Sequence, residues 1–198
     1  VGKAAEKISP FVLNVPKDFI FYTIAQWIDR KGFKQLLRAY WKAFEGNERV
    51  SLLLKTYRIN YSQSEFNLIK RDIELWKKEL KLKHYPKILL VAKLLSEPQI
   101  DKIHALGDCF VNASYGEGWG RGMQEAMLFG KPVIAYNKGG AKETIINGET
   151  GILFNRQTVK SLLHAVEKFE KMNFSKKDCK QNAEKFGEKK FKENFMRQ

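Results

Sequence analysis

Residues 109–127 read CFVNASYGEGWGRGMQEAM and carry the strongest structural signal in the chain. The apolar run at 109–113 predicts a buried strand, the four glycines that alternate after it predict a turn, and residues 119–129 predict a helix. Glycines between a strand and a helix allow close backbone approach, so that N–H groups at the positive helix end can meet hydroxyls or phosphates. This stretch therefore predicts an α/β ligand-binding turn.

Strand and helix alternate along the rest of the chain. Strands are predicted at residues 18–25, 50–56, 87–92, 109–113, 132–136 and 151–154. Helices are predicted at residues 33–44, 62–80, 98–106, 119–129, 141–146 and 159–169. The pattern predicts one α/β domain over residues 1–198, a Rossmann-like, doubly wound parallel sheet of about six strands with helices on both faces. The pattern further predicts a lead-in segment over residues 1–17 and a basic C-terminal helical tail over residues 174–198.

Composition is that of an ordinary globular protein. Of 198 residues, 43% are hydrophobic and 29% are charged, and the two cysteines have no metal-ligand or disulfide-framework spacing. The most apolar run, residues 88–95, is far shorter than the ~20 residues that span a bilayer. With no leader, a cytoplasmic location is expected. Because the first residue is not Met, we expect the chain to be a piece of a longer protein.

The net charge of +14 raises the alternative of a nucleic-acid-binding module. Residues 101–150 carry 5 basic and 6 acidic side chains, so the excess charge lies outside the block that holds the glycine-rich turn. Elsewhere basic residues are mixed with acidic ones, and no helix-turn-helix or RNP motif occurs, which argues against nucleic acid. An anionic membrane surface is a further candidate partner. It would meet the lysine-rich tail or the basic residues Lys70, Arg71, Lys77, Lys78, Lys81 and Lys83, although a solvated helix face is the favoured interpretation of these residues.

Two glutamates flank the glycine-rich turn. Glu117 and Glu125 are separated by seven residues, and if the helix begins near Trp119 both carboxylates can face one cleft. An ionised carboxylate only accepts hydrogen bonds, which suits the hydroxyls of a ribose or a hexose. The alternative is that both glutamates merely complement the helix dipole.

Two further turns could meet a phosphate. Gly139 and Gly140 precede a short helix and could hold one through backbone N–H groups, or could mark a plain turn. Arg30 and Lys31 follow the first strand and could pair with a diphosphate, or could be a solvated basic turn. The three histidines lack metal-ligand spacing, and His104, like His164, is expected to be a surface or partly buried packing residue.

With these residues in place, the chain resembles the C-terminal, donor-binding domain of retaining GT-B glycosyltransferases of glycosyltransferase family four, over about residues 19–154. Four matches occur in family order. They are Arg30-Lys31-Gly32, Glu117-Gly-Trp-Gly with Glu125-Ala-Met, GKPVI at 130–134, and Gly139-Gly140 followed by Glu143 and NGETGILF at 147–154. The resemblance favours a functional role for both glutamates and a nucleotide-diphospho-sugar as the substrate.

The resemblance also implies the role of each site residue. Glu117 would contact hydroxyls of the donor sugar, Glu125 would hold the ribose, and Lys31 would neutralise the diphosphate. Backbone N–H groups of Gly118, Trp119 and Gly120 would meet the sugar and phosphate. The reaction would be hexosyl transfer with retained anomeric configuration and without metal or cofactor, for a glycan, polysaccharide or glycolipid, with lipid-linked acceptors among the candidates. The remaining alternative is a non-catalytic nucleotide-binding module.

The chain departs from the family pattern in two places. Gln26 stands five residues before Lys31, where the family has arginine, so one diphosphate contact is weakened unless Arg30 or Arg121 supplies it. Trp119 stands where the family more often has phenylalanine. The family's N-terminal Rossmann-like domain, which carries the acceptor site, is not found within these 198 residues, so we expect this chain alone to bind a donor but to transfer sugar slowly or not at all.

Overall fold

The computed structural model describes residues 18–187 and contains one six-stranded parallel sheet. The strands are β1 (Phe19–Gln26), β2 (Val50–Tyr57), β3 (Lys87–Val91), β4 (Cys109–Asn112), β5 (Val133–Tyr136) and β6 (Gly151–Phe154). The helices are α1 (Phe33–Ala43), α2 (Gln63–Leu80), α3 (Glu97–Leu106), α4 (Arg121–Leu128), α5 (Gly140–Thr144), α6 (Val159–Glu170) and α7 (Lys176–Glu184). The predicted α/β class, the parallel sheet and the six strands are confirmed. The predicted lead-in and the end of the tail lie outside the described residues.

The strand order is β3-β2-β1-β4-β5-β6. The chain winds outward from β1 through β2 to β3, then returns to the other side of β1 and winds through β4 and β5 to β6. The direction of winding therefore reverses between β1 and β4. At such a switch point, loops leave neighbouring strands toward opposite faces of the sheet and open a crevice at the carboxyl ends.

Helices cover both faces of the sheet, as the continuous apolar strands require. One face packs against α1, α2 and α6, and its core includes Phe21, Leu37, Trp41, Leu52, Ile69 and Leu162. The other face packs against α3, α4, α5 and α7, and its core includes Tyr22, Ile103, Phe110, Met123, Met127 and Cys179. Part of the predicted basic tail is thus a packed element, since α7 contacts α4 through buried residues such as Cys179 and Ala183. Within residues 18–187, every helix is too short or too polar to cross a bilayer.

Candidate functional site

The loop after β1 brings Lys31 to the carboxyl end of β4. The chain leaves β1 through a 3₁₀ turn at Asp29–Lys31 and enters α1 through Gly32, whose φ is 67°. A side chain at Gly32 would be strained by that φ, and its Cβ would overlap the carbonyl oxygen of Ala113. Glycine is therefore required for the two loops to touch, and their contact positions Lys31 beside Glu117.

Glu117 is the centre of a half-buried ionic cluster. Its Oε1 accepts hydrogen bonds from Lys31 Nζ and, at 2.6 Å, from Ser114 Oγ. Its Oε2 lies 3.8 Å from Arg30 Nη1, which also donates to the carbonyl oxygen of Gly116 at 2.9 Å. The side chains of Lys31 and Glu117 are each 17% exposed, so this pair is only partly screened by water.

Two opposing effects set the charge of Glu117. Burial raises the pKa of its carboxyl, but hydrogen bonds from Lys31 and Ser114, with the charges of Lys31 and Arg30, outweigh burial and leave the pKa below its ordinary value. The carboxyl is therefore ionised at neutral pH and can only accept hydrogen bonds.

A cavity of about 200 Å³ opens beside this cluster, at the switch point between β1 and β4. It is lined by Thr23, Ile24, Ala25, Lys31, Phe110, Asn112, Glu117, Gly120, Arg121, Gly122 and Met123. Its walls are the ends of the two strands, and its rim is the N-terminal turn of α4. The cavity thus combines one carboxylate, two cationic side chains and a positive helix end.

The helix α4 begins at Arg121, two residues later than the predicted start at Trp119. Gly120 has a φ of 77°, outside the helical range, and serves as the N-cap. Trp119 and Gly120 therefore belong to the loop. Apart from its chain neighbours, no atom of residues 18–187 lies within 4 Å of the Cβ position at Gly118, so this part of the loop backbone is open to the approach of a ligand.

The turn at Gly139 and Gly140 supports the Glu117 loop. The N–H of Gly140 donates to the carbonyl oxygen of Glu117 at 3.0 Å, and a Cβ at Gly139 would overlap that same oxygen. A Cβ at Gly140 would overlap Gly118 O and lie 2.7 Å from Trp119 O. In this structure the Gly140 N–H is thus bonded to protein, and the expectation that the turn holds a phosphate through its N–H groups stays a prediction.

Substituting Gly140 by alanine should loosen the loop that carries Glu117. Alanine favours helix more than glycine does, so this substitution would stabilise the protein if the Cβ position in α5 were free. Because backbone atoms of Gly118 and Trp119 fill the Cβ position, we instead expect a loss of about 2 kcal/mol in the free energy of unfolding. Denaturant titration measures this loss. The control is Gly116→Ala, whose Cβ position is open, and an unchanged stability of Gly140→Ala would contradict the close packing.

Glu125 lies in the second turn of α4 and has its own partners. Arg121 Nε donates to its Oε1 at 2.6 Å, and His104 Nε2 lies 3.7 Å from its Oε2. The His104 contact lowers the pKa of Glu125 most, burial opposes it, and Arg121 lowers it further, so this carboxyl too has a pKa below its ordinary value. Glu125 is not among the residues that line the cavity. Arg121 links Glu125 to the cavity, because Arg121 lines the cavity and donates a hydrogen bond to Glu125.

Two other residues singled out in the sequence lie at the margin of the site. The Trp119 indole N–H donates to Gln124 Oε1 at 2.7 Å, and its ring meets Phe186 edge to face. The side-chain amide of Gln26 donates to the carbonyl oxygen of Arg58 at 2.7 Å, just beyond β2, and does not line the cavity.

Two residues of the site were not identified as such from the sequence, Ser114 and His104, and the burial of His104 was predicted wrongly. Ser114 bonds Glu117, and only its position three residues earlier in the same turn hinted at this. His104 was expected at the surface or partly buried, but it is 1% exposed, because α3 carries it between β1 and α4; His164 is exposed. Among residues 18–187, no group of three or more His, Cys, Asp or Glu side chains is placed to hold a metal ion.

Comparison with known proteins gives consistent likenesses. The family model described as glycosyl transferases group 1 matches residues 5–186. The capsular polysaccharide biosynthesis glycosyltransferase CapM of Staphylococcus aureus is 26% identical over 151 residues, which are 76% of this chain and 36% of CapM. The matched segments cover between 14% and 36% of the length of the curated relatives, so the chain spans only part of them.

Solved structures share the fold. The C-terminal domain of LpcC, a glycosyl transferase group 1 family protein from Francisella tularensis, has a TM-score of 0.66 and 18% identity, covering 85% of this chain and 82% of that domain. Anabaena Alr3699/HepE in complex with UDP-glucose has a TM-score of 0.58 and 24% identity, covering 84% of this chain and 43% of HepE. At these identities the likeness establishes the α/β architecture alone.

Proposed function

The chain belongs to the group 1 glycosyl transferases, and from this membership we propose that it binds a nucleotide-diphospho-sugar and supplies the donor half of a retaining glycosyl transfer. The observation that carries the proposal is the cluster of Lys31, Arg30 and Glu117 beside the cavity at the switch point. In this cluster, fixed cations lie next to a carboxylate that only accepts hydrogen bonds. Cations suit a diphosphate, and such a carboxylate suits the hydroxyls of a sugar.

Lys31 acts on the leaving group in this proposal. When the anomeric C–O bond breaks, negative charge develops on the diphosphate, and a cation already fixed there stabilises the transition state more than the ground state. Arg121 lines the same cavity, and Arg30 lies next to it, 3.8 Å from Glu117, so three cations can share the diphosphate charge. This supports transfer without a metal ion and gives two substitutes for the arginine that Gln26 replaces.

Glu117 and Glu125 hold hydroxyls in this proposal. Glu117 accepts from the donor sugar while Lys31, Ser114 and Arg30 keep it ionised, and Glu125 accepts from the ribose. Backbone N–H groups of the loop that ends at Gly120 meet the sugar and phosphate. The acceptor hydroxyl attacks from the face of the departing diphosphate, whose oxygen takes the acceptor proton as the C–O bond breaks, so the anomeric configuration is retained.

The acceptor site is proposed to lie on a second domain. The cavity of about 200 Å³ is smaller than the roughly 300–1,000 Å³ typical of small-molecule sites, so it holds only part of a nucleotide sugar. The curated relatives are about two to three times as long as this chain, which leaves room for a facing domain. The strand ends of this domain would cover one side of the donor, and the facing domain would cover the other.

Isothermal titration calorimetry with UDP-, GDP- and ADP-glucose tests the proposal. We expect one of these to bind the chain, with the same affinity in EDTA as in magnesium, and with donor hydrolysis and transfer near the uncatalysed rate, because the acceptor half is not supplied. A chain that binds none of them contradicts donor binding, and an affinity that depends on magnesium contradicts metal independence. Binding with full-length turnover by this chain would contradict the proposed division of labour.

A further inference from the structure

A histidine, buried beside the proposed ribose carboxylate, has no role in the function described so far. His104 lies on α3, is 1% exposed and stacks on the Phe129 ring, with centroids 5.5 Å apart and planes inclined by 16°. Its ring also meets Tyr22 edge to face at 5.5 Å. The ring is thus fixed in position and plane by packing on two sides.

Tyr22 determines which nitrogen of His104 carries the proton. Tyr22 Oη and His104 Nδ1 are 3.0 Å apart, and Tyr22 is fully buried in β1. Burial raises the pKa of Tyr22 far above its ordinary range, so the phenol keeps its proton. Among residues 18–187 Nδ1 is the hydrogen-bond partner of that hydroxyl, so Tyr22 donates to Nδ1 and the imidazole N–H is on Nε2.

The Nε2–H group then faces Glu125. Nε2 is buried and has no hydrogen-bond partner among the described residues, and Glu125 Oε2 is 3.7 Å away. A buried donor without a partner is costly, and a carboxylate is the acceptor that relieves the cost with a shift of less than 1 Å. The other oxygen, Oε1, is bound by Arg121, whose side chain is 79% exposed and so is free to leave.

We propose that His104 is a positioning residue that holds Oε2 of Glu125, so that Oε1 is presented to the ribose hydroxyls of the nucleotide when Arg121 moves to the diphosphate. This inference rests on the proposed function. Without His104, the guanidinium of Arg121 could take both carboxylate oxygens in a bidentate pair and compete with the ribose. His104, which is rigid and buried, prevents that pair by holding Oε2. Oε1 can then exchange Arg121 for a ribose hydroxyl.

The test couples a His104 substitution to the removal of the ribose hydroxyls. His104→Phe keeps the stacking and volume but removes the donor, whereas His104→Gln can place an amide N–H near the position of Nε2. Calorimetry compares UDP, GDP and ADP with their 2′,3′-dideoxy counterparts. For the diphosphate that the wild type binds, we expect His104→Phe to lower the affinity about tenfold, His104→Gln to restore most of it, and neither to change the affinity for the dideoxy form. Exposed His164→Phe is the control.

An equal loss for the ribose and dideoxy ligands, or no loss for either, would overturn the inference. Carbon-13 NMR of the Glu125 carboxyl provides a readout that needs no ligand: its pKa should rise in His104→Phe and stay near the wild-type value in His104→Gln. If the wild type bound no nucleoside diphosphate, the proposed function and the ribose role would both fail, whereas an unchanged Glu125 pKa would reject the His104 contact itself.

Discussion

Replacing Lys31 with methionine is expected to lower the affinity for the nucleotide-diphospho-sugar about a hundredfold. The change keeps most of the length of the side chain but removes a charged group that is only 17% exposed. A hydrogen bond to a charged group contributes about 1.5–3 kcal/mol, and a hundredfold change in affinity corresponds to about 2.7 kcal/mol. The loss is at the upper part of this range because Glu117, left without its main partner, would then repel the diphosphate.

Calorimetry on Lys31→Met measures this loss, and the matched control is Lys34→Met. Lys34 lies one turn along on α1, pairs with Glu79 and does not line the 200 Å³ cavity. We expect its substitution to change the affinity less than twofold, since exposed ion pairs contribute little. The free nucleoside, which has no phosphate, should bind Lys31→Met as it binds the wild type. A comparable loss for the nucleoside would show that Lys31 acts on the fold rather than on the diphosphate.

The sheet could be predicted from the sequence because its signals are local. Each strand is a short apolar run bounded by turn residues, and the amphipathic pattern of α1 and α2 marks their buried faces. The start of α4 was predicted two residues too early. The pattern predicted a helix from Trp119, but a glycine at 120 with a φ of 77° delays the start to Arg121, and the sequence does not show which of four nearby glycines takes that conformation.

The site was only partly predictable, because its finer contacts join segments that are distant along the chain. Lys31 and Glu117 were both named as candidates, but their pairing depends on the contact of Gly32 with Ala113. The Gly140 N–H looked free in the sequence and is taken by Glu117, more than twenty residues earlier. His104 was misplaced for the same reason, since its burial is set by β1 and α4 and not by the pattern of α3.

Although the chain has a net charge of +14, the carboxylates and cations of the candidate site are paired with one another. Each carboxylate has its own cation, Lys31 for Glu117 and Arg121 for Glu125. In the proposed function, an anionic diphosphate would exchange with the carboxylates for the same cations, which would free both carboxylates to accept hydroxyls. The cations and carboxylates of the site thus neutralise one another, and donor binding would be an exchange of partners.

Substituting Glu117 by glutamine is expected to remove the extra affinity that the sugar provides. The amide keeps the shape but is a weaker acceptor for the sugar hydroxyls than a carboxylate, and it no longer competes with the diphosphate for Lys31. We expect the nucleotide sugar to bind Glu117→Gln no more tightly than the nucleoside diphosphate does, and the diphosphate itself to bind at least as tightly as it binds the wild type. Calorimetry with UDP and UDP-glucose, or the corresponding pair for the preferred base, measures both.

The same substitution should change how stability depends on pH. The pKa of Glu117 is depressed in the folded chain, so its ion pair stabilises the fold fully above the unfolded pKa, near 4.3, and the contribution is lost as pH falls through the lower, folded value. We expect Glu117→Gln to lower the free energy of unfolding at pH 7 by about 1 kcal/mol and to flatten its decline below about pH 4.5. Exposed Glu149→Gln is the control. Suppose that Glu117→Gln changes neither the decline of the free energy of unfolding below about pH 4.5 nor the extra affinity that the sugar provides. The ion pair with Lys31 would then contribute neither to stability nor to donor binding.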